Sequence, residues 1–394
     1  MKKEDYNKRS IDLHRKHNGK LEINSTTPID STDDLSLVYS PGVAGPCMAI
    51  ADDPEEAYNL TIKGRTVAVV SDGSAVLGLG NIGATAAIPV MEGKAALFKK
   101  FAGLNAFPIC LDTQDTDEII RTVKLIAPVF GGINLEDISA PRSFEIEQSL
   151  QDIGIPVFHD DQHGTAIVTL AGIINACKVT GKELSDLKII INGAGAAGIT
   201  ITKLLRCQDT DHTKGSCITV KSIIVCDSKG IISKDRDDLT DVKRSLLGFT
   251  NPNNISGDLL TAMQDADVFI GVSKGDLLEA KHIETMADKP IVFALANPIP
   301  EIMPEKAKEL GVAVIATGRS DYPNQVNNVL AFPGIFKGAL QVRANRITAD
   351  MKLAAARAIA ECQPDPSEDS IIPEALNLKI ADKVAKAVID NYNK

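Results

Sequence analysis

Two apolar stretches of the chain each end in a pair of acids. PVFGGINLED closes on Glu136 and Asp137, and PVFHDD closes on Asp160 and Asp161. The carboxyl ends of parallel strands are where ligands bind, and carboxylates gathered there repel one another unless a hard cation takes them up. All-oxygen ligation of that kind suits Mg²⁺ or Mn²⁺ rather than zinc. Adjacent strand residues face opposite ways, so both members of a pair need not coordinate. The competing reading is local, since acids also favour the first turn of a helix. His159 and His163 have H-x-x-x-H spacing, but a zinc hydrolase wants Glu directly after the first histidine on a helix. Here Asp160 follows, in a loop-like DQHG context, and zinc hydrolysis is set aside.

A lysine stands on an apolar stripe. In VMEGKAALFKKF, residues Val90, Lys94, Leu97 and Phe101 share one face at helical spacing, with Phe98 beside it, while Glu92 and Lys99 point away. Desolvation there lowers an amine's pKa, which is what a lysine general base needs. The plain alternative is a lysine snorkelling at the core margin.

The segment KIIINGAGAAG runs an apolar strand into G-x-G-x-x-G, formed by Gly193, Gly195 and Gly198 with Ala194, Ala196 and Ala197 between and beside them. The glycines permit a tight turn, close approach of backbone to a pyrophosphate, and helix-on-strand packing. The next strand, SIIVCD, ends in Asp227, where a ribose-binding acid belongs; His212–Ser216 reads as a loop that absorbs the excess spacing. A second match, GLGNIG at Gly78, Gly80 and Gly83, is poorer: a segment separates it from the preceding strand, and Pro89 and Gly93 interrupt the helix after it. Phosphate binding is assigned to the first of these loops, from Gly193.

These residues require a scaffold that turns strand ends toward one cleft. Strands are expected at 66–71, 106–111, 128–134 and 156–159. Helices are expected near 84–102, 118–127, 144–153 and 165–179. A second alternating series begins at Lys188, with strands at 222–226, 268–272, 291–296 and 312–315, and then turns mainly helical. Such alternation implies α/β architecture with parallel sheets covered on both faces. It gives two α/β domains joined through the helix at 165–179. The 394 residues, 44% hydrophobic and 24% charged, have the balance of a globular chain with no apolar run long enough to span a membrane. Its 42 basic and 52 acidic residues leave a charge of −10, and aromatics are 4%, which excludes a basic stacking surface for nucleic acid. Seven cysteines with no C-x-x-C argue against a disulfide framework or zinc cage and favour the cytoplasm.

Taken together, LVYSPGVAGPC (37–47), VSDGSAVLGLGNIG (70–83), PVMEGKAALFKKFAG (89–103), INLEDISAPRSFEIE (133–147), PVFHDDQHGTAIV (156–168), INGAGAAG (191–198), FALANPIPE (293–301) and YPNQVNNVLAFPG (322–334) resemble the malic enzymes, in their small bacterial form. The resemblance spans nearly the whole chain in order. It implies an N-terminal α/β malate- and metal-binding domain, residues 1–160. A Rossmann-like NAD(P)-binding domain with a parallel sheet and C-terminal helices, residues 161–394, would follow. By the same resemblance Lys94 is the general base and Tyr39 the general acid. Glu136, Asp137 and Asp161 are the metal ligands, with Asp160 behind them. Asn297 lies between substrate and nicotinamide, and Asn328, rather than Asn327, contacts substrate. A homodimer is implied, with the N-terminal segment crossing between subunits.

The implied reaction is oxidative decarboxylation of L-malate to pyruvate and CO₂ with reduction of NAD(P)⁺. Asp227 inclines the choice to NAD, although Ser228 and Lys229 leave room for a 2′-phosphate. Larger family members carry an arginine that grips a malate carboxylate, and Ala75 stands at the aligned position, so another donor is needed. The alternatives are a malolactic enzyme, which converts malate to lactate, a metal-independent amino-acid dehydrogenase, and a non-catalytic nucleotide sensor. The carboxylate cluster argues against the second, and the joint presence of Lys94, Tyr39 and the acids against the third.

Overall fold

The computed structural model describes residues 3–392, apart from 77, 209–216 and 218. Four parallel strands form the first sheet: β1 (Thr66–Ser71), β2 (Asn105–Cys110), β3 (Gly132–Leu135) and β4 (Val157–His159), in the order β2-β1-β3-β4. β1 is buried along its whole length, as a Val-rich strand covered on both faces should be. The second sheet contains β5 (Lys188–Asn192), β6 (Ser222–Asp227), β7 (Gly230–Ile231), β8 (Val268–Gly271), β9 (Ile291–Ala294) and β10 (Val314–Thr317). Its order is β10-β9-β8-β5-β6-β7, and only β7 runs antiparallel, as a hairpin from β6. The direction of chain progression reverses at β5, the switch point where open α/β sheets bind ligands.

The helix Asp160–Thr180 links the sheets and is buried on nearly every face. It begins five residues earlier than its apolar run suggests, so the expected DQHG loop is helical. Pro89 and Gly93 do not interrupt their helix, which runs Gly83–Leu97. Packing of Ala84, Ala87, Met91 and Ala95 holds that helix together, since tertiary contacts outweigh propensity. β3 starts later than expected because Ala127–Val129 makes a 3₁₀ turn around Pro128, which has no N–H for a ladder.

One apolar core joins the two sheets, running from Val67 and Met91 through Ala166–Ala176 to Ile189 and Phe293. The helix Phe332–Gln341, which follows the second sheet, reaches back to it: Phe98 lies 4.7 Å from Phe332 and 5.3 Å from Phe336, edge-on, and Phe158 lies 5.9 Å from Phe336. Burial of each such ring contributes roughly 2–3 kcal/mol. By contrast, no residue of the helices Thr32–Val38 and Ala44–Asp52 is buried. Cys207 and Cys217 form one disulfide, which the cysteine pattern did not predict, while Cys47, Cys110, Cys177, Cys226 and Cys362 are free. The proposed loop His212–Ser216 lies outside the described residues.

Candidate active site

Lys94 sits in the last turn of its helix, and its ammonium lies 2.5 Å from Asp160 Oδ2 and 2.7 Å from Glu136 Oε1. The Phe332 ring covers it at 4.3 Å. Burial pulls its pKa down, but the Asp160 and Glu136 carboxylates outweigh burial and hold it above the ordinary lysine value. That is the reverse of the depressed pKa expected from the apolar stripe. The stripe counted neighbours on one helix, whereas the two acids arrive from β3 and from the helix Asp160–Thr180.

Glu136 leaves the end of β3, its second oxygen accepting from Asn134 Nδ2 at 2.8 Å. Burial drives its pKa up; Lys94 opposes this, and Asp161, Asp160 and Asp137 add to it. Asp137 takes a left-handed backbone, φ 53°, and its N–H donates to Asp161 Oδ2 at 2.8 Å. Asp160 and Asp161 open the helix Asp160–Thr180, so both readings of this pair hold at once: they occupy a helix first turn, and Asp161 lines the cleft. Asp160 is fully buried and packed against the backbone of Gly164, where a Cβ would come within 2.0 Å of Oδ1. Asn328 Nδ2 donates to Asp160 Oδ2 at 3.2 Å, and its own oxygen accepts from Thr165 at 3.2 Å. Asn327 instead caps the turn after it, accepting from Val329 N at 3.0 Å.

Oxygens of Glu136, Asp137 and Asp161 lie within 4.8 Å of one another. Asp160 Oδ1 is buried beside them with no hydrogen-bond partner. Three hard donors under mutual repulsion fit a divalent cation such as Mg²⁺ or Mn²⁺. The histidines take other roles. His163 Nε2 meets Glu147 Oε1 at 2.7 Å, and His159 Nδ1 stays 3.8 Å from Asp161.

These acids and Lys94 line a cleft of about 630 Å³ whose opposite wall is Ala196, Ala197, Val272, Ser273, Ala296 and Asn297. Ala196 and Ala197 come from the glycine turn after β5, Val272 and Ser273 from the end of β8, and Ala296 and Asn297 from the end of β9. Gly193 has φ 127°, and a Cβ on Gly198 would fall 1.8 Å from the Gly193 oxygen, so the helix Ala196–Leu205 can sit against the turn only with glycine there. Gly195 caps that helix without a side chain, leaving its first N–H groups and positive pole toward the cleft, a setting that fits a pyrophosphate. The GLGNIG segment does not line the cleft but packs on its wall, with Gly78 against the backbone of Asn297.

Asp227, at the end of β6, is not among the residues lining this cleft. Arg236 grips both its oxygens, at 2.8 and 3.1 Å, and Lys243 adds a contact at 2.7 Å. Burial would raise its pKa, but these partners outweigh burial and hold it at about 2. Tyr39 also stands apart: it ends the helix Thr32–Val38, is 70% exposed and does not line the cleft. Ala75 does line it, and no arginine is among the described lining residues.

Two supporting acids escaped the sequence reading. Glu301 is fully buried and accepts from Ala296 N at 3.0 Å and Ser273 N at 3.3 Å, tying together two segments of the nucleotide wall. Asp72 pairs with Arg142 at 3.0 Å, and Arg142 also reaches Ser139 on the cleft rim. Asp72 could have been suspected, since it follows a largely apolar strand; Glu301 had no comparable signal.

Residues 18–151 match the family model for the malic enzyme N-terminal domain, and residues 162–392 match that for the malic enzyme NAD binding domain. The chain is 55% identical over 383 residues to a bifunctional malic/malolactic enzyme of Bacillus subtilis, covering 96% of this chain and 91% of that protein. It is 56% identical over 375 residues to an NAD-dependent malic enzyme of Geobacillus stearothermophilus, covering 94% and 76%. An NADP-dependent malic enzyme of Halomonas elongata is 47% identical over 398 residues, covering 96% and 92%. The crystal structure of an NAD-dependent malic enzyme from Thermotoga maritima superposes with a TM-score of 0.91 at 49% identity, covering 96% of this chain and 98% of that one.

Proposed function

This chain belongs to the malic enzyme family, and we propose that its cleft carries out oxidative decarboxylation of L-malate to pyruvate and CO₂ with reduction of NAD(P)⁺. The observation that carries this reading is a single cleft lined by Lys94, by three carboxylates suited to a cation, and by the uncapped helix end of a glycine turn. Residues 1–160 supply the malate and metal side, and residues 161–394 the cofactor side.

Glu136, Asp137 and Asp161 would hold Mg²⁺ or Mn²⁺, which when bound polarises the substrate's hydroxyl and carboxylate and offsets the negative charge around Lys94. The glycine turn from Gly193 to Gly198 would hold the dinucleotide, which when bound would supply the hydride acceptor for C2 of malate. With a cation offsetting Glu136 and the neighbouring acids, Lys94 would give up its proton before the reaction; as the neutral amine it takes the C2 hydroxyl proton, and Asp160, held by Asn328, keeps the ammonium so formed in place. After CO₂ leaves, a proton is delivered to C3 by Tyr39. Asn297 and Asn328 orient the substrate by hydrogen bonds from opposite walls.

Tyr39 does not line the Lys94 cleft among the described residues, and Leu37 (68% exposed) and Ile23 (80% exposed) of the same N-terminal segment are apolar and bare. Both features support a homodimer in which the N-terminal segment of one copy completes the site of the other. The carboxylate partner missing at Ala75 would come with it. Asp227 favours NAD, while Arg236 and Lys243 beside it give a 2′-phosphate cations to meet. The five free cysteines fit the cytoplasm, and the Cys207–Cys217 disulfide stands against it.

The test is incubation with L-malate and Mn²⁺, following NAD and NADP reduction separately while assaying pyruvate and lactate. Pyruvate equal to reduced cofactor is expected, with the faster rate on NAD. Lactate without net reduction would instead support the malolactic reading, which the description of the Bacillus relative favours as a second activity.

A further inference from the structure

Glu301 ends the loop that follows β9, in which Pro298 and Pro300 have no N–H and so cannot hold the loop by backbone bonds of their own. Its side chain supplies the closure, folding back so that Oε2 accepts from Ala296 N at 3.0 Å. The other oxygen accepts from Ser273 N at 3.3 Å, in the turn after β8. Ser273 Oγ in turn accepts from Asn192 Nδ2 at 2.8 Å, and Asn192 is the last residue of β5, directly before the glycine turn. One carboxylate thus joins, directly or through Ser273, the turns after β5, β8 and β9, which are neighbours in the sheet. The end of β8 is shaped to admit it, since a Cβ on Gly271 would clash with the Glu301 carboxylate. Backbone bonds stitch the same loops further out: Pro300 O accepts from Asp276 N, and Glu301 O from Leu277 N and Leu278 N.

Glu301 is fully buried, and no lysine, arginine or histidine pairs with it among the described residues. Burial raises its pKa, and the N–H groups of Ala296 and Ser273 oppose that rise. Both oxygens meet N–H donors, which suits the ionised form, because a neutral carboxyl would need an acceptor for its own O–H. A buried anion without a counter-cation is costly, and the cost falls when a cationic group comes to rest on the same turns. With a pyrophosphate at the glycine turn after β5 and a ribose on the β6 side, at Asp227, the nicotinamide half of a dinucleotide runs the other way along the sheet. It then lies over the turns after β8 and β9, where Ser273 and Asn297 line the cleft. We propose that Glu301 is a positioning residue for the nicotinamide: it fixes these two turns against the ring, and its charge favours the oxidised, cationic ring over the reduced one. This rests on the reading of the cleft as a dinucleotide site.

Calorimetric titration of the whole chain with NAD⁺, NADH and ADP-ribose, without malate, tests the proposal, because ADP-ribose has no nicotinamide. If NADP⁺ proves the tighter ligand, the 2′-phosphorylated forms of all three take their place. Glu301→Gln keeps the shape, loses the charge and leaves one acceptor oxygen for two N–H groups. This variant should bind NAD⁺ about tenfold more weakly than wild type, NADH about threefold more weakly, and ADP-ribose equally well. Glu301→Asp keeps the charge and both acceptors on a shorter arm. It should weaken NAD⁺ and NADH alike relative to ADP-ribose, and it tests the positioning if Glu301→Gln does not fold. Unchanged NAD⁺ affinity in the variant that folds, or a loss shared equally by ADP-ribose, overturns the positioning role. Equal losses of NAD⁺ and NADH in Glu301→Gln overturn the role of the charge. Failure of the wild-type chain to bind either NAD⁺ or NADP⁺ would instead overturn the dinucleotide reading on which the proposal stands.

Discussion

At the residue scale the cleft is a contest between burial and charge. Lys94 is held protonated by Asp160 and Glu136 although burial opposes it, and the crowded carboxylates around it raise the pKa of Glu136. Lys94→Ala should abolish malate oxidation while leaving NADH affinity, measured by fluorescence titration, nearly unchanged; turnover at the wild-type rate would remove Lys94 from the reaction. Asp161→Asn should raise the Mn²⁺ needed for half-maximal rate by about tenfold or more. Full activity at the wild-type Mn²⁺ concentration would show that Asp161 is no ligand. Asp227→Ala removes the anion that occupies Arg236 and Lys243, so NADPH should gain affinity over NADH by about tenfold. Equal effects on both cofactors would place the ribose elsewhere.

At the element scale, helix first turns and strand ends carry the chemistry, and buried ion pairs set how they meet. Glu147, on the helix Arg142–Ser149, binds His163 on the helix Asp160–Thr180. Burial would raise its pKa, but His163 and Lys352 outweigh burial and lower it from 4.5 to about 2. A depressed acid stabilises the folded state above its unfolded value and loses that contribution as pH falls through the folded value. Glu147→Gln should therefore lower the melting temperature at pH 7, by up to about 3 kcal/mol of stability. The difference from wild type should shrink between pH 4.5 and pH 2. A pH-independent difference over that window would mean that the hydrogen bond, and not the charge, matters.

At the scale of the whole molecule, one core joins two sheets, and the N-terminal segment stands outside it. If Tyr39 serves the cleft of a second copy, Tyr39→Phe and Lys94→Ala enzymes, each nearly inactive, should regain about a quarter of wild-type activity when mixed and allowed to exchange subunits. Each mixed dimer would then hold one intact site. No recovery, with exchange confirmed by differently tagged chains, would return Tyr39 to its own subunit or remove it from the site.

Alternation of apolar strands and helices, read from the sequence by itself, determined the two parallel sheets, because fully covered strands must be continuous apolar runs such as TVAVVS and KIIIN. The glycine turn was equally legible, since Gly193 and Gly198 are required by contacts within one short segment. The start of the linking helix was half legible: acids at Asp160 and Asp161 allowed a helix first turn, but Asp161–Gly164 looked like a loop because its polar residues have no apolar periodicity. The state of Lys94 was misread for another reason. Its partners lie 42 and 66 residues away in sequence, and only packing sets whether a buried amine meets carbons or carboxylates. The pairing of Asp227 with Arg236 and Lys243 and the buried support from Glu301 likewise depend on where separate chain segments come to rest. Local spacing specifies which elements form, and long-range packing decides what charge each buried group carries.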